Sequence, residues 1–185
     1  MTSEPTCHPV ADVDWPERLT HLKGGFATSL NVYRVMANHP DLLAAWAPLR
    51  GHVVQTSALG PERSEIVILR TGHRLGSAYE WAHHVCRARA LGLSDSRIAS
   101  IAEPLDRMAP EDALLSGAVD SLFDTHGLDT ERRAELVQAI GREAMFDLIA
   151  TVGFYSTLGY ILNTCHPPLD DDIAAALAEH PLAPR

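Results

Sequence analysis

The sequence predicts an all-helical protein, on three observations. No stretch alternates β-branched or aromatic residues with polar ones in the manner of a strand. Apolar residues instead recur three and four positions apart, as in Leu114, Leu115, Ala118, Val119 and Leu122. Proline and glycine fall between such stretches, with Pro40, Pro61 and Pro110 each placed to open a helix. No repeat of fixed period and no low-complexity tract interrupts the pattern.

Taken in order, residues 1–14 are polar and proline-bearing and read as an extended N-terminal arm, free to dock on a neighbouring subunit. Residues 15–185 read as one helical domain. A short helix is expected from Trp15 to His21, then two from Leu30 onward, the first ended at His39 because a residue before proline avoids the helical region. Pro61 to Leu91 reads as two helices joined at Gly76. Ser94 caps a helix from Asp95 to about Ala102, and Pro104 ends it. The next runs from Pro110 to about Asp124, closed by His126 and Gly127; Thr130 and Glu131 open another, to about Ala139. From Arg142 to Leu162 comes a long apolar helix whose Gly153 and Gly159 let a second backbone approach closely. A last short helix spans Asp171 to Glu179.

A length of 185 residues suits one domain with a proper core. With 15 basic against 24 acidic residues and a net charge of −9, nucleic-acid and polybasic membrane binding are disfavoured. Cys7, Cys86 and Cys165 are widely spaced and match neither a redox pair nor a zinc pattern, which points to a reducing cytoplasm. The opening residues lack the charge and apolar segment of a secretory signal. Asp147, Ser156 and Thr157 interrupt the apolar region from Ala144 to Leu162, so it reads as a poor membrane span.

The groups able to do chemistry concentrate in Pro61 to Leu91. At about 100° per residue Glu65 falls among Ile66, Ile68, Leu69 and Leu75, on an apolar arc where a carboxylate needs a partner. In the second helix Ser77, Glu80, His84 and Leu91 share a stripe flanked by Trp81 and Ala88. Glu80 can hold the His84 ring in one tautomer and raise its basicity, and Glu65 can reach the same ring if the two helices fold back on each other. Taken alone, Glu80 and His84 make an ordinary helix pair; the placement of Glu65 and Trp81 favours a site. Arg87 is a candidate anchor for a substrate carboxylate and equally a solvated charge. Trp81 is a candidate pocket wall, or plain core. His73, on the Glu65 arc, is a candidate lining residue. His83 projects away from the stripe, so the adjacent histidines are not expected to share a metal, and no metal site is expected. Tyr155 and Tyr160 read as core and interface.

The run ERSEIVILRTGHRLGSAYEWAHHVCRARALGLSDSRIASI, with NVYRVMANHPDLL before it and DLIATVGFYSTLGYILN and PLDDD after it, resembles the carboxymuconolactone decarboxylase family. The resemblance implies an all-α, single-domain helical bundle of the alkyl hydroperoxidase D type. In the family's redox branch a glutamate precedes a CxxC pair by twelve residues and a histidine follows it by four; here these positions are Glu65, Ser77, Glu80 and His84. Both sulfurs are absent, and Cys86 does not restore the pair, so thiol-disulfide chemistry lacks its nucleophile.

The YEWAHH segment resembles the nonredox branch, which includes decarboxylases of carboxylated lactones. That likeness implies homo-oligomers, trimers or hexamers, with a site near a subunit contact and no metal or organic cofactor. It assigns His84 as proton donor, Glu80 as its orienter and Glu65 as a proton relay. Arg87, Trp81, Ser77 and His73 are the expected substrate contacts. The expected function is cofactor-free acid/base chemistry on a small carboxylated or lactone-like substrate. The alternatives are a cofactor-free hydrolase, isomerase or dehydratase, and an alkyl hydroperoxidase-like or noncatalytic binding or assembly protein.

Overall fold

In the computed structural model residues 7–182 are described; positions 1–6, most of the expected arm's first half, lie outside the described residues. The rest of that arm lies along its own chain: Val10 N–H donates to the Arg34 carbonyl at 3.1 Å, and Arg34 Nη1 returns a bond to the Val10 carbonyl at 2.8 Å.

Helices follow one another without a strand among the described residues. After 3-10 turns at Asp12–Asp14 and Glu17–Leu22 come α1 (Phe26–Ser29), α2 (Asn31–Met36) and α3 (Pro40–Gly51). His39 caps α3 by accepting the Leu42 N–H at its ring, and Pro40 takes the first turn, where its missing donor costs nothing. Pro48 lies inside α3, and the helix passes directly into a π turn, His52–Thr56, that the sequence reading did not contain. Asp147 braces the end of that turn, accepting from His52 Nε2 at 2.7 Å, Ser57 Oγ at 3.2 Å and the Ala58 N–H at 2.6 Å.

The pair α4 (Pro61–Leu75) and α5 (Ala78–Ala90) forms as the pattern requires. Gly76, at φ +60°, closes α4 with its own N–H on the His73 carbonyl and that of Ser77 on the Gly72 carbonyl. This double cap reverses the chain and lays α5 back along α4. The approach is close at Gly72, where a Cβ would stand 3.3 Å from Glu80 Cβ.

Then follow α6 (Asp95–Ser100), capped by Ser94; α7 (Pro110–Asp124); α8 (Thr130–Ile140), capped by Asp129; α9 (Arg142–Cys165); and α10 (Asp171–Glu179). A 3-10 turn at Leu105–Arg107 links α6 to α7.

Helices α4 and α9 run through the middle, and two apolar clusters form along them. One joins Ile66, Val67 and Leu69 to Ile98, Ile101, Leu115, Leu136 and Leu148; the other joins Ile68 to Val32, Tyr33, Leu43, Phe154, Tyr155 and Leu158. Helix α9 is long and apolar enough, by length and composition alone, to cross a membrane, and half of that apolar window is buried inside the fold. Its glycines differ from expectation. Gly159 admits the Leu75 side chain, whose Cδ1 would lie 2.6 Å from an added Cβ, while Gly153 faces open space. With Gly153 on the outer side stand the exposed side chains of Phe146, Ile149 and Tyr160.

Arginine–aspartate forks tie the outer helices down. Arg70 forks onto Asp120 at 2.9 and 2.6 Å and also reaches the Ile101 and Glu103 carbonyls; Arg97 forks onto the wholly buried Asp112 at 2.8 Å on both arms.

Candidate active site

The site lies where α4, α5, α2 and α9 meet, between the two clusters. Glu65 on α4 is 8% exposed, and its Oε2 stands 2.6 Å from His84 Nδ1. On the other side of the ring, Glu80 Oε2 lies 3.4 Å from Nε2. The antiparallel return at Gly76 brings the two glutamates to opposite edges of one imidazole, and Tyr155 of α9 meets that ring edge-on at 5.0 Å. Burial by itself pushes the His84 pKa down; the Glu65 charge, its hydrogen bond and the Glu80 contact outweigh it and raise the pKa to about 9. His84 therefore carries a proton at neutral pH. The carboxylates flank the ring instead of converging on a common point, which suits proton transfer better than metal ligation.

Two cavities adjoin this line. The inner one, about 20 Å³ and so large enough for one water, is lined by Tyr33, Arg50, Glu80, His83, His84 and Arg87, among others. The outer, about 220 Å³, is lined by Glu65, Ser64, Gln55 and Ser57. Val54, Arg87 and Tyr155 border both, so the π turn and the Arg87 side chain form the partition.

Arg87 makes no hydrogen bond or ion pair among the described residues. Arg50 likewise has no carboxylate. Its Nε donates to Tyr33 Oη at 3.2 Å and its guanidinium lies 4.0 Å over the Phe26 ring. Two cations without counter-ions at one cavity contrast with Arg70 and Arg97, each locked onto an aspartate. Burial pushes the Tyr33 hydroxyl up to about 12 against the opposing pull of Arg50, and burial raises Tyr155 as well, so both are neutral hydrogen-bond donors.

Of the residues expected from sequence, the fold brings together Glu65, Glu80, His84 and Arg87. It places the others elsewhere. Ser77 is 1% exposed at the head of α5, its Oγ without a partner, and lines neither cavity. Trp81 packs against the first apolar cluster, and His73 lies exposed beside it, ring centroids 6.3 Å apart. Position 73 lies two turns along α4 from Glu65, and by then the helix has left the cavity for the α7 side, where Arg70 and Asp120 are the charges that act on His73. Sequence reasoning missed Arg50, Tyr33, Tyr155, Tyr79 and His83. Arg50 carries a signal in retrospect: it follows the buried Leu43 by seven residues, two turns along the same face. His83 was set aside for pointing off the Glu80 stripe, yet the inner cavity wraps round α5 far enough to reach it.

The carboxymuconolactone decarboxylase family model matches residues 40–116, which span α3 to α7 and hold Arg50, Glu65, Glu80, His84 and Arg87. This part of the chain is similar to that family, and the whole chain has the alkyl hydroperoxidase D-like helical fold. The debrominase Bmp8 has a similar structure. Bmp8 as a cysteine-to-alanine variant in complex with 2,3,4-tribromopyrrole matches with a TM-score of 0.76 at 17% identity, over 96% of this chain and 98% of that one. Apo Bmp8 matches with a TM-score of 0.75 at 16% identity, over 95% and 98%. No protein of curated function matches the sequence.

Proposed function

We propose that this protein is a cofactor-independent enzyme that performs acid/base chemistry on a small carboxylated or lactone-like molecule, with His84 as the proton donor. The observation that carries the reading is the His84 ring held between Glu65 at 2.6 Å and Glu80 at 3.4 Å, protonated at neutral pH inside a closed site. Arg87 and Arg50, lacking counter-ions, suit a substrate carboxylate or an oxygen that gains negative charge. The Tyr33 hydroxyl, accepting from Arg50, is free to donate its own hydrogen to the same oxygen.

For loss of carbon dioxide, the electron pair of the breaking C–C bond flows into the conjugated lactone carbonyl and leaves an enolate. His84 then supplies the proton to carbon, and the two glutamates hold the ring in place and favour its reprotonation from water. Thiol chemistry has less support, because Ser77 and Glu80 carry no sulfur, partial burial pushes the Cys86 thiol up, and Cys86 lines neither cavity.

The test is a panel of small lactones and carboxylic acids incubated with wild-type and His84→Gln protein and followed by mass spectrometry. Turnover that falls by at least about 100-fold in the variant supports the reading. Equal turnover by both proteins ends it.

A further inference from the structure

Two guanidinium groups meet at the inner cavity without a carboxylate of their own. Arg50 is 8% exposed, and among the described residues its only hydrogen bond is the one from Nε to Tyr33 Oη at 3.2 Å. Neither of its terminal nitrogens donates to a described group, while the guanidinium lies 4.0 Å over the Phe26 ring. Arg87 borders the same cavity from α5. Arg70 shows what an arginine buried this deeply otherwise does: at 7% exposed, it is forked onto Asp120 and bonded to two carbonyls besides.

The acidic groups nearby are engaged elsewhere. Glu80 borders the cavity, but its Oε2 faces His84 Nε2 at 3.4 Å. Glu65 offsets the His84 cation from the far edge of the ring and does not line this cavity. Asp170 does not line it either: its Oδ1 accepts the Asn31 N–H at 2.9 Å, and its Oδ2 accepts the Tyr79 hydroxyl and stands 2.9 Å from His83 Nε2. Arg50 and Arg87 therefore face Glu80 with one positive charge in excess.

A buried cation lacking a partner is destabilising, and a guanidinium with free N–H groups binds anions by charge and hydrogen bond together. The space beside Arg50 is about 20 Å³, the room of one water. The Tyr33 hydroxyl accepts from Arg50 and is kept neutral by burial, so its own hydrogen remains to be donated. Donors from α2, α3 and α5 thus converge on a space of single-particle size.

We propose that the inner cavity is a binding site for a monoatomic anion, a halide such as chloride, held by the guanidiniums of Arg50 and Arg87 and the hydroxyl of Tyr33. A single negative charge balances the excess, and a single atom matches the space. Binding breaks no bond and moves no electron, and it does not depend on the acid/base role of His84.

The probe is chloride, added to protein in sodium gluconate at constant ionic strength and read by the chloride NMR linewidth. Wild-type protein is expected to broaden the line, and bromide to reverse the broadening where further gluconate does not. Arg50→Met should lower the affinity at least about 10-fold, as should Arg87→Met, which tests the same site if the first variant does not fold. Arg63→Met, which removes an exposed arginine paired with Glu111, should leave binding unchanged. Crystals soaked in bromide should show an anomalous peak within hydrogen-bonding distance of Arg50 and Arg87. No broadening by the wild-type protein, or equal broadening by a folded Arg50→Met or Arg87→Met, overturns the site, as does a bromide peak found only elsewhere. A peak in the inner cavity without broadening in solution is an adventitious ion only and overturns it too.

Discussion

Glu65 and His84 sit on antiparallel helices nineteen positions apart in sequence, yet their side chains meet at 2.6 Å in the interior. The contact makes His84 a cation where burial alone would have left it neutral. Removing one partner of a buried ion pair leaves the other charge uncompensated, which costs about 3 kcal/mol or more. Glu65→Gln is therefore expected to lower stability by about that amount in urea denaturation and to lower turnover of any active panel compound by about 100-fold.

The same pair fixes a pH dependence. His84 holds its proton up to about 9 in the folded chain against an ordinary value of 6.5, so between these values the folded state binds more protons than the unfolded one. Its contribution to stability is complete below pH 6.5 and is lost as pH rises through 9. Melting temperatures measured from pH 6 to 10 should decline across that window, and the decline should flatten in His84→Gln. An equal slope in both proteins contradicts the shift.

Arg50 offers a separation of stability from binding. Its buried guanidinium has no counter-ion, so Arg50→Met removes an unpaired charge and fills the space with an apolar chain of comparable reach. The variant should melt at or above the wild-type temperature. Loss of charge-assisted hydrogen bonds at about 1.5–3 kcal/mol should raise KM for a carboxylated substrate about 10- to 100-fold, and Arg87→Gln should do the same. A lowered melting temperature with unchanged KM would assign Arg50 to the core alone.

Packing and chemistry are coupled at Gly72. A methyl group there meets Glu80 Cβ at 3.3 Å and the Trp81 backbone nitrogen at 3.5 Å, so α5 must move outward by a few tenths of an ångström. Gly72→Ala is expected to fold, since alanine favours the helix, and to lose activity because Glu80 and His84 shift relative to Glu65. Circular dichroism alongside the panel assay separates the two effects. Unimpaired activity means the site tolerates the displacement.

We propose that the chain forms homo-oligomers, trimeric or hexameric. Phe146, Ile149 and Tyr160 stand exposed on the outer side of α9 with Gly153 between them, an apolar strip on an acidic surface. Light scattering at micromolar concentration should give a mass above that of one chain, and Phe146→Asp with Tyr160→Asp should reduce it. Monomeric wild-type protein removes the expectation.

The helices were legible because their ends are written in local chemistry. Pro40, Pro61 and Pro110 open three of them, Gly76 turns the chain between α4 and α5, and Asp171–Glu179 falls where the pattern places it. Glu65 and Glu80 were legible as neighbours of His84, one from an apolar arc and the other from helix spacing. The π turn after Pro48 was not, since nothing in a short window distinguishes a widened turn from an ordinary helix end. Arg50 and Asp170 were hidden for another reason. Arginine after leucine near a helix end looks solvated, and an aspartate in a run of three looks like a cap; only the path of α3 and of the final segment brings them to the cavity and to His83.

The bond between Asn31 and Asp170 spans 139 positions. Because a chain emerges from the ribosome from its N-terminus, α2, α4 and α5 are exposed to the cell well before the segment that carries Asp170. Until then Tyr79, His83 and the Asn31 N–H have no carboxylate to meet. Closure of the site is thus a late event of biosynthesis, and a nascent chain stalled short of position 170 lacks one of the carboxylates that hold its imidazoles.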